Sequence, residues 1–270
     1  MKLSFSTLGC PDWSFEKILS EAQRIGFTGL EIRGIDGKMR AEEVTQFSEE
    51  NKAATQKMLA DKGLTIVSYG TSCSFHDDAN FDAAIEEGKH AIDVCVRMGI
   101  PAIRVFGDRI ENEAVKAHVT SQVAKGIRIL CEYARGKNVK VMQEVHGDFL
   151  SIETLMPVVE QVNDCPEFGV LWDIANTKDV CTGNWHGFYN EIKPYLRHVH
   201  VKDHKIVNDT IEYCLVGEGV IPVKDIVQTL EADGYTGWYS LEWEKKWHPE
   251  IQDPEIAFPA YFEYMKTILK

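Results

Sequence analysis

One unit recurs along this chain: an amphipathic helix that ends at a glycine, followed at once by a short apolar strand. It appears in "AQRIGFTGLEIRG", "MLADKGLTIVSYG", "VRMGIPAIRVFG", "YARGKNVKVMQE" and "LEADGYTGWYSLE". The glycines that close these helices are Gly26, Gly63, Gly99, Gly136 and Gly234, and the first four stand 37, 36 and 37 residues apart. The residue after a helix commonly turns left-handed, a conformation glycine reaches without steric penalty. A helical solenoid could repeat at such a period but would contain no strands. Alternation of one helix with one strand instead predicts a parallel sheet, whose neighbouring strands need a crossover long enough to hold a helix.

The pattern predicts eight strands: Leu3–Leu8, Gly29–Arg33, Thr65–Tyr69, Ala102–Phe106, Lys140–Glu144, Gly169–Asp173, His198–Lys202 and Trp238–Glu242. Helical periodicity fills the gaps, most clearly at Phe15–Ile25, Glu42–Asp61, Phe81–Met98, Glu113–Ala134, Ile152–Val162, Val223–Ala232 and Pro254–Leu269. Eight strand–helix units with no Pro- or Gly-rich linker predict an α/β protein, a single (β/α)8 barrel spanning residues 1–270, and barrels of about 250 residues are ordinary. The competing arrangement is an open doubly wound sheet. It usually carries G-x-G-x-x-G after its first strand, and nothing of that kind follows the first strand here.

Charge narrows the partners. With 29 Lys and Arg against 42 Asp and Glu, the net charge of −13 repels phosphate backbones and anionic lipids, so neither nucleic acid nor membrane is an expected partner. The seven cysteines are scattered, odd in number and without a C-x-x-C pair, which predicts reduced thiols in a cytoplasmic protein. The apolar run between Lys2 and Cys10 is too short and too polar for a secretory signal, and no window reaches the roughly 20 apolar residues of a membrane span.

Barrels of this kind place their active sites at the C-terminal ends of the strands. The fifth strand ends "VMQEVHG" at Glu144 and His146, the sixth "VLWDIAN" at Asp173 and Asn176, the seventh "HVHVKD" at His198 to Asp203, and the eighth "YSLEWE" at Glu242 and Glu244. One carboxylate at a strand end is ordinary, as a cap for the next helix. Four consecutive strands with an ionisable end converge on one rim, and three carboxylates there would be costly to desolvate together without a cation. Glu144, Asp173 and Glu242 offer oxygens and His200 a nitrogen. His200 is preferred because alternation puts it on the same side as His198 and Lys202 but nearer the rim than His198. Such an oxygen-rich set suits one divalent cation, Mn²⁺ first, with Mg²⁺, Co²⁺ or Zn²⁺ admissible.

The motifs "QEVHG", "LWDIANT", "HVHVKD" followed by "GEG", and "GYTGWYSLEWE" resemble the xylose-isomerase-like barrel superfamily of sugar isomerases and epimerases, from "GFTGLEIRG" onward. The resemblance implies that Glu144, Asp173, His200 and Glu242 hold one divalent cation and that Glu144 and Glu242 double as acid and base. Related enzymes often carry a substrate-contacting histidine three residues after the strand-six aspartate; this chain has Asn176 there. The same superfamily includes zinc endonucleases acting at abasic sites, but those need further histidines on early strands and a basic groove. Here strands two and three end in "EIRG" and "SYGT".

The chemistry expected is proton abstraction beside a ketone, the cation steadying the charge that develops. Return of the proton from the opposite face epimerises a ketose, and return to the neighbouring carbon isomerises it. Loss of a β-hydroxyl dehydrates, and a keto-inositol or 3-dehydroshikimate would be a substrate for that alternative. A small carbohydrate is therefore the expected partner, and a homo-oligomer is compatible with the sequence. His146, Asn176, Lys202, Arg104 and Trp13 are candidate substrate contacts. The competing readings are packing for His146, pairing with an acidic neighbour for Lys202, and a core or loop position for Trp13, Trp243 and Trp247. His76 reads as a surface-loop histidine.

Overall fold

The computed structural model describes residues 1–178 and 180–269. Eight parallel strands close into a barrel: β1 (Leu3–Ser6), β2 (Gly29–Ile32), β3 (Thr65–Ser74), β4 (Ala102–Phe106), β5 (Lys140–Glu144), β6 (Phe168–Asp173), β7 (Leu196–Val201) and β10 (Trp238–Leu241). Around the wall they run β1, β10, β7, β6, β5, β4, β3, β2. Outside lie α1 (Phe15–Ile25), α2 (Lys52–Asp61), α3 (Phe81–Met98), α4 (Glu113–Ala134), α5 (Ile152–Val162), α6 (His186–Ile192), α7 (Val223–Ala232) and α8 (Pro254–Ile268). Among the described residues no helix is long and apolar enough to cross a membrane.

Local chemistry explains the repeating unit. The Ser14 hydroxyl accepts from the Lys17 amide and starts α1, while Gly26 ends it at φ 111°. Gly99 ends α3 in the same left-handed way at φ 74°, and Gly63, Gly136 and Gly234 also adopt positive φ. A side chain at these turns would meet the steric penalty that glycine avoids.

Alternation along the strands divides the interior in two. Outward residues such as Phe5, Leu30, Ile103, Val141, Val170, Val199 and Leu241 join the helices in one large core. Ala102, Met142 and Leu171 form a separate small cluster on the inner face. One step toward the strand ends on that face come Arg104, Glu144 and Asp173, so an apolar plug underlies a layer of charge. His200 is in register with Asp173 on β6 and with Ser240 on β10, and His198 lies one step deeper beside Leu171.

One expectation needs correction. Glu42–Asp61 is not one helix: only its second half is α-helical, preceded by single turns at Ala41–Glu43 and Thr45–Phe47. Ser48 stays extended at ψ 156°, and its hydroxyl accepts from Asn51, while Ala41, Val44 and Phe47 are buried at three-residue spacing. The segment after β7, including His204, forms an antiparallel hairpin, β8 (Asp203–Val207) and β9 (Thr210–Cys214). Asn208 and Asp209, at φ 51° and 61°, form its two-residue turn, the positive-φ geometry that matches strand twist.

Candidate metal centre

Glu144 closes β5, Asp173 closes β6, His200 is the last inward residue of β7, and Glu242 follows β10. These four strands adjoin in the wall, which brings residues nearly 100 positions apart to one point. One ligand-type atom from each lies within 4.8 Å of all the others, and all four side chains are buried.

Two cations flank the cluster. Arg104 Nε lies 3.0 Å from Glu144 Oε2. Lys202 Nζ lies 2.7 Å from Asp173 Oδ2 and donates to Glu242 Oε2 at 2.9 Å and Glu244 Oε1 at 2.6 Å. The sequence reading that favoured an acidic partner for Lys202 therefore meets three of them. Burial pushes Asp173 up to about 7, opposed by Lys202 and reinforced by the neighbouring glutamates. Burial acts the same way on Glu242 but is outweighed by Lys202 and His200, which hold its carboxyl well below the ordinary range. For Glu144 burial is outweighed by Arg104, and that carboxyl is also lowered.

A residue the sequence reading passed over completes the arrangement. Glu31, an inward residue of β2, accepts from His198 Nε2 at 2.8 Å and from His200 Nε2 at 2.9 and 3.0 Å. A carboxylate can only accept here, so Nε2 carries a proton. Burial disfavours charge on the ring, but Glu31 and Glu242 outweigh it and raise His200 well above the ordinary imidazole range, so Nδ1 offers a lone pair only where a cation takes the place of its proton. Nδ1 faces the cluster, 3.4 Å from Glu242 Oε1 and 3.5 Å from Glu144 Oε1. The two imidazoles overcome burial and keep Glu31 ionised. The available signal was a charged residue within an apolar strand, a position Arg104 shares on β4.

The donor set suits a divalent cation. Glu144 Oε2, Asp173 Oδ2 and His200 Nδ1 are buried and receive no aligned hydrogen bond, although Arg104 and Lys202 lie in ion-pair range of the two oxygens. Among the described residues, Glu144, Asp173, Glu242 and Glu244 face two permanent cations, Arg104 and Lys202, beside the titratable His200 and His248, and a dication would close the remaining difference. Three carboxylates and one imidazole are ligands that Mg²⁺, Mn²⁺, Co²⁺ and Zn²⁺ all accept.

The remaining candidates lie around this centre. His146 is half-exposed beyond β5, its ring 4.7 Å from Phe106 and its Nδ1 3.9 Å from Asp108. Asn176 donates to the Val145 carbonyl at 3.2 Å. Trp13 is packed edge-on against Phe258 in the core, and Trp243 is buried and donates to the Gln252 carbonyl. Trp247 is exposed. His76 is partly buried, its Nδ1 2.7 Å from the Ser74 hydroxyl.

Fold and site together define a class: a closed parallel barrel with a carboxylate-rich, single-histidine centre at its C-terminal mouth. The profile of the xylose isomerase-like TIM barrel family matches residues 19–266, and this chain belongs to that family. An inosose dehydratase of Geobacillus thermodenitrificans is 26% identical over 280 aligned residues, covering 93% of this chain and 86% of that protein. Among solved structures, the probable 3-DHS dehydratase AsbF of Bacillus anthracis superposes with a TM-score of 0.79 at 18% identity, over 98% of this chain and 99% of that one. The IOLI protein, solved with a bound zinc atom, superposes with a TM-score of 0.81 at 16% identity, over 100% and 98%. At these identities the structural matches establish the fold.

Proposed function

We propose that this protein is a divalent-cation-dependent dehydratase that removes water from a cyclic β-hydroxy ketone such as a keto-inositol or 3-dehydroshikimate. The observation that carries the reading is the convergence of Glu144, Asp173, His200 and Glu242 within 4.8 Å, with a polar atom on each of the first three buried and without an aligned hydrogen bond. Epimerisation and isomerisation need the same first step. The named dehydratase relative, aligned along almost the whole chain, supports elimination over them.

A dication held by these four side chains would polarise the ketone and stabilise the negative charge left when the neighbouring carbon loses its proton. The donor oxygens favour Mn²⁺ or Mg²⁺, and the imidazole admits Co²⁺ or Zn²⁺. Glu144 and Glu242 stand on β5 and just beyond β10, three strands apart in the wall, so they approach a bound ring from different sides. One removes the proton beside the ketone. The electron pair forms the new double bond as the β carbon–oxygen bond breaks, and the hydroxyl departs as water with the proton that the base glutamate has taken up, since both carboxyls are held ionised before it acts. Lys202, held by three carboxylates, restrains Glu242 and offers positive charge to the oxygen that gains it. His146 and Asn176 border the mouth as contacts for ring hydroxyls.

The test is proton NMR in D₂O with Mn²⁺-loaded protein and a panel of ketoses, keto-inositols and 3-dehydroshikimate. Elimination predicts loss of the β-hydroxyl carbon signal and a new vinylic proton or its tautomer. Deuterium beside the ketone with the hydroxyl retained would replace dehydration with epimerisation or isomerisation. No exchange on any member would end the proton-transfer reading.

A further inference from the structure

We propose that Arg33 and Arg104 form a carboxylate-binding subsite beside the cation centre, so that the β-hydroxy ketone handled there carries a carboxylate group. This rests on the proton-transfer site described above and names the class of its substrate.

The subsite is built by a glycine. Gly70 on β3 is in register with Arg104 on β4, and a Cβ at that position would lie 2.8 Å from both Arg104 Nη2 and Arg33 Cδ. The missing side chain is what lets two arginines lie over the same strand. Arg33 follows β2 and, two residues beyond Glu31, shares its inward face. Arg104 is committed: Nε faces Glu144 and Nη1 donates to the Thr71 carbonyl at 3.2 Å.

Arg33 is not so committed. Only 9% exposed, it donates from Nη2 to the Ser72 hydroxyl at 2.9 Å, while Nη1 is buried without a hydrogen-bond partner among the described residues. Glu87, whose charge reaches it, is spent on the Ser72 amide at 2.6 Å and on Arg40 at 3.9 Å. Burial, and then the charge of Arg104, pull Arg33 down to about 10. A buried guanidinium without an ion pair, next to a second guanidinium, is an arrangement proteins rarely keep without an anionic partner.

The charge selects the partner. Arg104 and Lys202 are ion-paired with the carboxylates of the centre and Glu31 is held by His198 and His200, which leaves Arg33 as the cation of the rim with no carboxylate in ion-pair range among the described residues. One positive charge with a free donor matches a monoanionic planar carboxylate, which guanidinium groups bind as a fork. A phosphate dianion would bring a second charge with nothing to meet it. Arg33 also lines a small cleft with Thr7, Trp13, Gly34, Met39 and Lys246.

Calorimetric titration of Mn²⁺-loaded protein with 3-dehydroshikimate, its methyl ester and inorganic phosphate tests this. The acid is expected to bind roughly 10- to 100-fold more tightly than the ester, the range for one charge-assisted hydrogen-bond pair. Arg33→Met should bring the acid down to the ester's affinity. The same variant without ligand should keep or raise its Tm, because it removes a buried unpaired charge, and the acid should no longer raise that Tm. Equal affinities for acid and ester in the natural protein would overturn the subsite, and that comparison needs no variant to fold. An undiminished preference in Arg33→Met, or phosphate binding more tightly than the acid, would overturn it too. Arg33-dependent acid binding without loss of water would retain the subsite and remove the dehydratase reading; turnover of a neutral keto-inositol without acid preference would do the reverse.

Discussion

The imidazole of His200 meets a carboxylate on each side, and Glu31 decides which ring nitrogen is free. Because Glu31 accepts from Nε2, only Nδ1 can offer a lone pair to the cluster. An outer carboxylate of this kind fixes the tautomer and raises the basicity of a ligating histidine. In Glu31→Gln the amide loses the charge and can accept through only one atom, while its NH₂ opposes the N–H of His198 or His200. Cation affinity should fall roughly 10- to 100-fold, read from the visible absorption of Co²⁺ titrated into the protein. Unchanged affinity, with the same absorption bands, would mean that Glu31 does not orient the ligand. The four residues of the centre were legible in sequence because each stands at or near the end of an apolar strand, where a charge is conspicuous. Glu31 was not, because its partners lie 167 and 169 residues away and the short strand "GLEI" shows no ligand pattern by itself.

At the scale of elements, the mouth depends on how the chain leaves β7. Asp203, the first residue of β8, is buried and gathers the following loop around its carboxylate. Oδ2 accepts from the amides of Gly217 and Gly219 at 2.9 and 3.0 Å, and Oδ1 accepts from those of Ile221 and His204 at 3.1 and 2.9 Å. Gly219 is required by closeness rather than by turn geometry, since a Cβ there would lie 2.1 Å from Asp203 Oδ1. This explains the "GEG" after "HVHVKD", a spacing visible in the sequence whose physical basis was not. The hairpin itself escaped notice because Ile206 and Ile211, cross-strand neighbours, point to solvent and break the rule that strand apolars face a core. Asp203→Asn would turn a donor toward two amides that now share an acceptor oxygen. Each buried N–H left unpaired costs about 1–3 kcal/mol, so a loss of roughly 2–5 kcal/mol is expected in urea unfolding. A loss well under about 1 kcal/mol would show that the loop holds its shape without this carboxylate.

For the whole molecule, the part of the acidic charge that lies buried inside the barrel destabilises the fold unless it is neutralised. The barrel order was legible because helix and strand alternate at a near-constant interval, but the interior balance was not, since it depends on Arg33, Arg104 and Lys202 turning inward from three separate strands. Asp173 shows the consequence. Its folded pKa of about 7 lies above the ordinary carboxylate value, so without a cation the fold favours the protonated form, and stability is lost as pH rises from the unfolded value through 7. A bound dication reverses the preference by favouring the ionised ligand. Cation binding should therefore stabilise more at pH 8 than at pH 6. At a free concentration 100 times Kd the gain is about 2.7 kcal/mol, which for a chain of this size raises Tm by roughly 5 °C. Melting curves of chelator-treated and Mn²⁺-loaded protein at both pH values check this. A gain that is absent at both, or larger at pH 6, would separate Asp173 from the cation site and leave the buried carboxylates to Lys202 and Arg104 alone.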